Sequence, residues 1–411
     1  MKVIEINQNY KKGSNGQVVD LIANELRKNG HMCLVCCSDE ISKNDLLNDY
    51  GFMIGNLLDH KIHAVLSRIT GKQGYFSYFA TKKLIKKIYN YNPDIIHLHN
   101  LHGNYINLKL LFEYIQKESI PTVITMHDSW LITGKCTRGI EICDKWKKSC
   151  DHCPLLHKDN VNPTFFFDKT HKCFEDKKVW LNGINNLNIV NVSKFMEKYV
   201  NESFLKEANV SYIYNGVDLE KFYPVNQDKI TINLEKKFTI LMCSSNISRD
   251  KGYNELVYIA TQLKEDEQMV VIGKNSNNLS LPKNIVYIEY LNKTDLSKYY
   301  SLADVCVNVS TFETFGNVTV ESMACGTPVI VYDIPVSFEI IDEHCGIIVK
   351  RSEGPKAVYN AISKIKLSGK DFYKDNCIRT VKNNFSKEQF LKKYLELFDS
   401  INKVNKHEKK I

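Results

Sequence analysis

Short apolar runs rich in β-branched residues recur along the chain, and stretches of helical periodicity fall between them. In the first half, Val3-Ile-Glu-Ile6, His31 to Cys37, Ile95-Ile-His97, Thr122-Val-Ile-Thr125 and Asn188-Ile-Val-Asn191 predict strands. Residues 18–26 and 75–91 space their apolar positions as helices do. A second series opens at Phe238-Thr-Ile-Leu-Met-Cys243 and continues through 269–273, 285–288, 302–309 and 329–331. Strand and helix in alternation predict parallel, doubly wound sheets, because a crossover back to a parallel strand needs a helix on the sheet face. The polar stretch 225–237 reads as the linker between the two series, and the tail Asn402 to Ile411 as a frayed end.

The most informative stretch runs from Ser310 to Ile330. A loop carrying Glu313 and Gly316 follows the 302–309 strand, and Val318, Val320, Met323 and Ala324 then fall at helical spacing. Gly326 and Pro328 stop that helix before the next strand. A helix that starts near Gly316 directs backbone N–H groups and positive dipole charge over the loop, which suits a phosphate.

Composition changes this picture little. The chain has 411 residues, 43% apolar and 25% charged, as expected for a globular protein of two to three domains. No apolar run approaches the length of a membrane span, and Met1 to Ile6 reads as a first strand and not as a signal peptide, which predicts a cytoplasmic protein. Thirteen cysteines are many, but Cys33, Cys36, Cys37, Cys243 and Cys306 lie in strand-like runs as reduced core residues. A net charge of +8 fits anionic substrates or an anionic membrane surface, and no nucleic-acid motif accompanies it. Lys82, Lys83, Lys86 and Lys87 share one face of the 75–91 helix, either as a solvated face or as a contact with anionic lipid at the inner membrane surface.

Candidate chemistry in the first half gathers at strand ends. His97, His99 and His102 end one strand, and His127 and Asp128 end another, where open α/β sheets bind ligands. The spacing suggests lining of an active site without metal. Gly13 and Gly16 sit in the first strand-to-helix turn, either for a tight turn or for close approach of a ligand. Residues 133–180 interrupt the alternation with Cys136, Cys143, Cys150 and Cys153. These four thiols are candidate ligands of a structural zinc, a brace and not a catalyst; packed free thiols are the other reading.

Glu313 and Glu321 have seven residues between them, inside Phe-Glu-Thr-Phe-Gly and Glu-Ser-Met-Ala-Cys-Gly-Thr-Pro-Val. This pattern resembles the paired-glutamate motif of retaining glycosyltransferases of family four, among them bacterial cell-surface polysaccharide transferases. The resemblance extends through Tyr212-Ile-Tyr-Asn-Gly-Val-Asp218 and Lys251-Gly252 to most of the chain. It implies the GT-B fold, two Rossmann-like doubly wound domains facing across a cleft. The expected division is an acceptor domain at 1–196, a donor domain at 197–388, and a last helix from 389 to 411 packing back on the first domain.

The resemblance also assigns roles. Lys251 holds the donor diphosphate, with Arg249 in place of an upstream arginine that this chain lacks, and with the backbone around Phe315, Gly316, Asn317 and Val318. Gly16 lies near the donor phosphates or the acceptor. Glu321 takes the ribose hydroxyls, Glu313 orients the sugar, and His127 lines the sugar site, with His102 and Asp128 on the acceptor side. The implied activity moves a hexose-type sugar from a UDP- or GDP-sugar to a saccharide or lipid-linked acceptor. It needs no cofactor, since no Asp-x-Asp metal motif stands at a strand end. A GT-B sugar-nucleotide epimerase or hydrolase, or a non-catalytic relative that binds nucleotide sugars, remains the alternative.

Overall fold

The computed structural model describes residues 1–39, 41–157, 164–225 and 234–408. Most of the expected linker therefore lies outside the described residues. The chain forms two compact units, one of residues 1–213 together with the chain from Leu391 on, the other Tyr214–Phe390.

The first unit is built on a seven-stranded sheet: β1 (Lys2–Asn7), β2 (Met32–Cys37), β3 (Gly51–Met53), β4 (Ile95–Leu98), β5 (Thr122–Met126), β6 (Leu187–Asn191) and β7 (Asn209–Tyr212). The order is β3-β2-β1-β4-β5-β6-β7, and every pairing is parallel. The second unit carries β8 (Phe238–Asn246), β9 (Glu267–Lys274), β10 (Val286–Ile288), β11 (Val305–Asn308), β12 (Val329–Tyr332) and β13 (Gly346–Val349). Their order, β10-β9-β8-β11-β12-β13, is again wholly parallel. Each sheet thus reverses direction of growth once, beside β1 and β4 in the first unit and beside β8 and β11 in the second. Such a switch point leaves a crevice outside the carboxyl ends of the strands, where ligands of open α/β sheets bind.

The expected strands appear with shifted ends. Three further strands, β3, β7 and β13, are short and border polar segments, so their apolar signal is weak. Both sheets bury both faces, as parallel sheets do; Val3, Ile4, Ile6, Ile95, Ile96 and Leu98 are fully covered. The tail expected to fray is helical as far as Glu408, within the helix Lys387–Glu408. Tyr394, Phe398 and Ile401 of that helix are buried in the first unit, and this burial supplies the stability that a surface helix end lacks. No helix among the described residues is long and apolar enough to cross a membrane.

Candidate functional site

In the first unit, the carboxyl ends of β1, β4 and β5 lie side by side and place a chain of polar groups on one face. Glu5 on β1 is the register partner of His97 on β4, and His99 and Thr125 follow two residues along their strands. The Glu5 carboxylate lies 2.9 Å from His97 Nδ1 and 2.8 Å from His99 Nε2. A carboxylate can only accept, so both rings donate to it. His97 Nε2 then accepts from Thr125 Oγ1 at 2.8 Å, and Thr125 in turn meets Tyr394 Oη at 2.7 Å. His99 Nδ1 is left as acceptor for His127 Nε2, 3.0 Å away. One buried carboxylate thereby orders the protons of three imidazoles and aims His127.

The electrostatics agree with this assignment. Burial raises the Glu5 carboxyl, but the His97 and His99 contacts together outweigh it and hold the group at about 2. Burial, with His97 beside it, lowers His99 to about 4 against the pull of Glu5. Burial and the neighbouring rings push His127 well below the ordinary histidine range, so both rings are neutral near pH 7. Glu5, His97 and His99 are also a trio of potential ligands with donor atoms within 4.8 Å of one another. Yet every ring nitrogen of the two histidines already has a hydrogen-bond partner, so the trio is complete without an ion. Sequence reasoning placed His97 and His99 together but missed Glu5, which reads as a charged interruption of an apolar strand.

His102 and Asp128 meet as expected of neighbours at one site: His102 Nε2 lies 2.9 Å from Asp128 Oδ2. Asp128 Oδ1 accepts the Trp130 amide at 2.8 Å, which fixes the carboxylate in the turn after β5. Gly16 lies in the first turns of the helix Gly13–Lys28, and Lys11 donates its amide to the Gly16 carbonyl. A Cβ on Gly16 would come 3.3 Å from the backbone of Asn9 and Lys11, so the loop after β1 folds tightly onto it.

In the second unit the ends of β8 and β11 bring the predicted donor residues together. Lys251 Nζ meets Glu313 Oε1 at 2.5 Å, both side chains about one-fifth exposed. Gly252, with φ +87°, could not carry a side chain, since a Cβ would meet Val309 at 2.7 Å. The Thr311 amide donates to the Asp250 carbonyl, joining the two loops at 2.9 Å. Arg249 is exposed, and among the described residues its guanidinium has no hydrogen bond or ion pair.

The expected helix is Asn317–Ala324, and its cap is Gly316 at φ +97°. Asn308 at the end of β11 donates to Thr319 Oγ1 at 2.9 Å and ties the helix start to the strand. The Phe315 ring is buried, 5.9 Å from Tyr214 and 5.7 Å from Phe385. This packing fixes the backbone that is expected to meet the diphosphate. Glu321 lies one turn further along the same helix, and Tyr300 from the helix Lys293–Leu302 donates to it at 3.4 Å. Burial raises the Glu321 carboxyl to about 7, opposed by Lys293 and the Tyr300 hydroxyl. Neither Tyr300 nor Lys293 carries a sequence signal for this task.

Cys136, Cys143, Cys150 and Cys153 all line one small cavity, beside Thr133 and Trp146. Backbone amides serve three of the sulfurs: Lys145 donates to Cys143 at 3.4 Å, Gly134 to Cys150 and Leu155 to Cys153. A hydrogen bond from Cys136 holds the Cys153 thiol below the usual range. No three of these sulfurs lie within 4.8 Å of one another, whereas zinc–sulfur bonds of about 2.3 Å set tetrahedral sulfurs about 3.8 Å apart. The four ligands are therefore gathered, but not at metal spacing.

A family model described as Glycosyltransferase Family 4 matches residues 16–155, and one described as Glycosyl transferases group 1 matches residues 225–384. WcaC of Escherichia coli K12, a glycosyl transferase assigned to colanic acid biosynthesis, is 24% identical over 273 residues, 64% of this chain and 65% of WcaC. An uncharacterized glycosyltransferase of Methanocaldococcus jannaschii is 25% identical over 205 residues, 45% of this chain and 52% of that protein. The alignments thus span less than two thirds of these two relatives. Alpha-monoglucosyldiacylglycerol synthase of Acholeplasma laidlawii is 23% identical over 310 residues, 68% of this chain and 69% of the synthase. Among solved structures, sucrose-phosphate synthase of Thermosynechococcus elongatus superposes with a TM-score of 0.72 at 18% identity, covering 98% of this chain and 99% of the synthase. Anabaena HepE, in complex with UDP and glucose, superposes at 0.68 with 15% identity, covering 97% of this chain and 100% of HepE. With both halves matched by these models and both sheets in the expected topology, the chain belongs to the family-four type of glycosyltransferases with the GT-B fold.

Proposed function

We propose that the protein is a retaining glycosyltransferase of polysaccharide assembly, which moves a hexose-type sugar from UDP- or GDP-sugar to a saccharide or lipid-linked acceptor. The observation that carries this reading is the meeting of Lys251, Glu313 and the glycine-capped start of the helix Asn317–Ala324 at one switch point. The leaving group is a nucleoside diphosphate, and charge builds on it as the glycosidic bond breaks. Fixed cations and backbone N–H groups stabilise that charge without having to reorganise. Lys251, and Arg249 when it turns inward, supply the cations; the backbone from Phe315 to Val318 supplies the amides. Ionised Glu321 accepts from ribose hydroxyls, and Glu313 orients the sugar. His127, Asp128 and His102 of the first unit serve the transferred sugar and the acceptor. Complexes of HepE with UDP and with UDP-glucose support a uridine donor.

Titration calorimetry with UDP, GDP and their sugar conjugates tests this directly, with Glu321→Ala beside the native protein. Binding of one base, lost in the variant, supports the donor site. A folded protein that binds none of them would sink the reading.

Two finer proposals follow from the sequence expectations. The enzyme works in the cytoplasm, where nucleotide sugars are supplied, with peripheral contact to the membrane. Cys136, Cys143, Cys150 and Cys153 would be the ligands of a structural zinc that braces their loop; their convergence on one cavity supports this.

A further inference from the structure

The helix Leu57–Thr70, which follows edge strand β3, is turned inside out. Its buried residues are His63 and Ser67. Four of its apolar residues face outward: Leu58 is 66% exposed, Ile62 51%, Val65 51% and Ile69 39%. At 100° per residue these four positions fall within about 60° of one another, so they form a single stripe. The helix is seated by its polar side, with His63 Nδ1 2.8 Å from Ser77 Oγ and the His63 ring 5.4 Å from Phe76. An ordinary surface helix of a globular protein has the opposite arrangement.

The charge around the stripe is positive. Lys61 and Arg68 are exposed on the same helix, against one acid, Asp59. Ser77 caps the neighbouring helix Tyr78–Tyr91, which has four lysines and no acid. Its Phe79 is 78% exposed, and Lys82, Lys83 and Lys86 are exposed as well. An apolar stripe flanked by lysine and arginine is the pattern of a helix that lies in the surface of an anionic bilayer. A second copy of the chain fits less well. The four stripe residues offer on the order of 350 Å² of apolar surface, under half of the about 800 Å² per partner of a stable interface.

We propose that the helix Leu57–Thr70 docks the protein on anionic lipid, with the stripe among the acyl chains and the lysines of Tyr78–Tyr91 at the headgroups. Parallel pairing puts the end of β3, and so the start of this helix, at the same sheet edge as His99 and His127. A docked enzyme would hold that edge near a lipid-linked acceptor. The docking deepens the acceptor reading above, but its assay does not require catalysis.

Flotation of the full-length protein with phosphatidylcholine vesicles, with and without phosphatidylglycerol, tests the proposal. Binding is expected only with the anionic lipid and should weaken with salt. Ile62→Glu with Val65→Glu should lower it at least about tenfold, and each of Lys82→Ala, Lys83→Ala and Lys86→Ala about fivefold. Circular dichroism and nucleotide binding report that these surface variants remain folded. Absence of vesicle binding by the native protein would overturn the proposal, as would binding unchanged in the glutamate variants. So would a native dimer, seen by analytical ultracentrifugation, that those variants split. A docking failure with UDP-sugar binding intact would leave the donor site standing, whereas loss of nucleotide binding in the native protein would count against the transferase reading alone.

Discussion

Lys251 Nζ and Glu313 Oε1 stand 2.5 Å apart although 62 residues separate them along the chain. Lys251 is carried by the loop after β8 and Glu313 by the loop after β11. The ion pair neutralises the lysine while no diphosphate is present and keeps both side chains at the switch point.

Removing the cation should therefore cost donor affinity. Lys251→Ala is expected to weaken UDP or GDP binding about 10- to 100-fold, the range for a hydrogen bond to a charged group. Glu313→Gln should leave nucleotide affinity nearly unchanged and lower turnover instead. Calorimetry and initial rates, measured on the same preparations, separate the two effects.

Glu321 predicts a pH dependence. Its carboxyl stands at about 7, above its ordinary value of 4.5, with burial as the largest cause. Ribose recognition by the ionised form should make nucleotide affinity rise as pH increases through 7, and Glu321→Gln should flatten that profile. The sign for stability is opposite. A raised carboxyl favours the folded state below 4.5, and that contribution is lost as pH rises through about 7. Urea midpoints across this window should show the loss in native protein and not in Glu321→Gln.

Glu5 predicts a loss that a donor-site defect would not produce. Glutamine at this position donates as well as accepts, so it conflicts with one of the two imidazole donors and unsettles the His127 proton. Turnover of Glu5→Gln should fall at least about tenfold, with nucleotide affinity unchanged and stability lower by about 1–3 kcal/mol. The acid limb of native stability has two parts. His99, held at about 4, contributes above its ordinary 6.5 and is lost as pH falls through 4. Glu5, held at about 2, contributes above 4.5 and is lost as pH falls through 2.

The cysteine cavity predicts a metal content. Protein purified without chelator should hold about one zinc, and cobalt in its place should show thiolate charge-transfer absorption. Cys143→Ser and Cys153→Ser should each abolish both signals. Zinc retained in those variants would assign the metal elsewhere, and metal-free, folded native protein would leave the loop as packed thiols.

Much of this protein was legible in the order of its residues, because the determining forces were local. Strand runs such as Val3 to Ile6 and Phe238 to Cys243 must be buried on both faces, and the glycine at 316 permits the positive φ that starts the helix of Glu321. The spacing of Glu313 and Glu321, and Lys251 beside Gly252, were readable for the same reason. What the sequence could not determine is which distant groups share protons and space. Glu5 looked like a blemish in a strand until register set it against His97. Phe315 was expected to offer its backbone, and only packing shows that Tyr214 and Phe385 enclose its ring. The outward stripe of Leu57–Thr70 has a helix's ordinary period, and period alone does not say which face meets the sheet. Those outcomes depend on long-range packing, which only the tertiary structure decides.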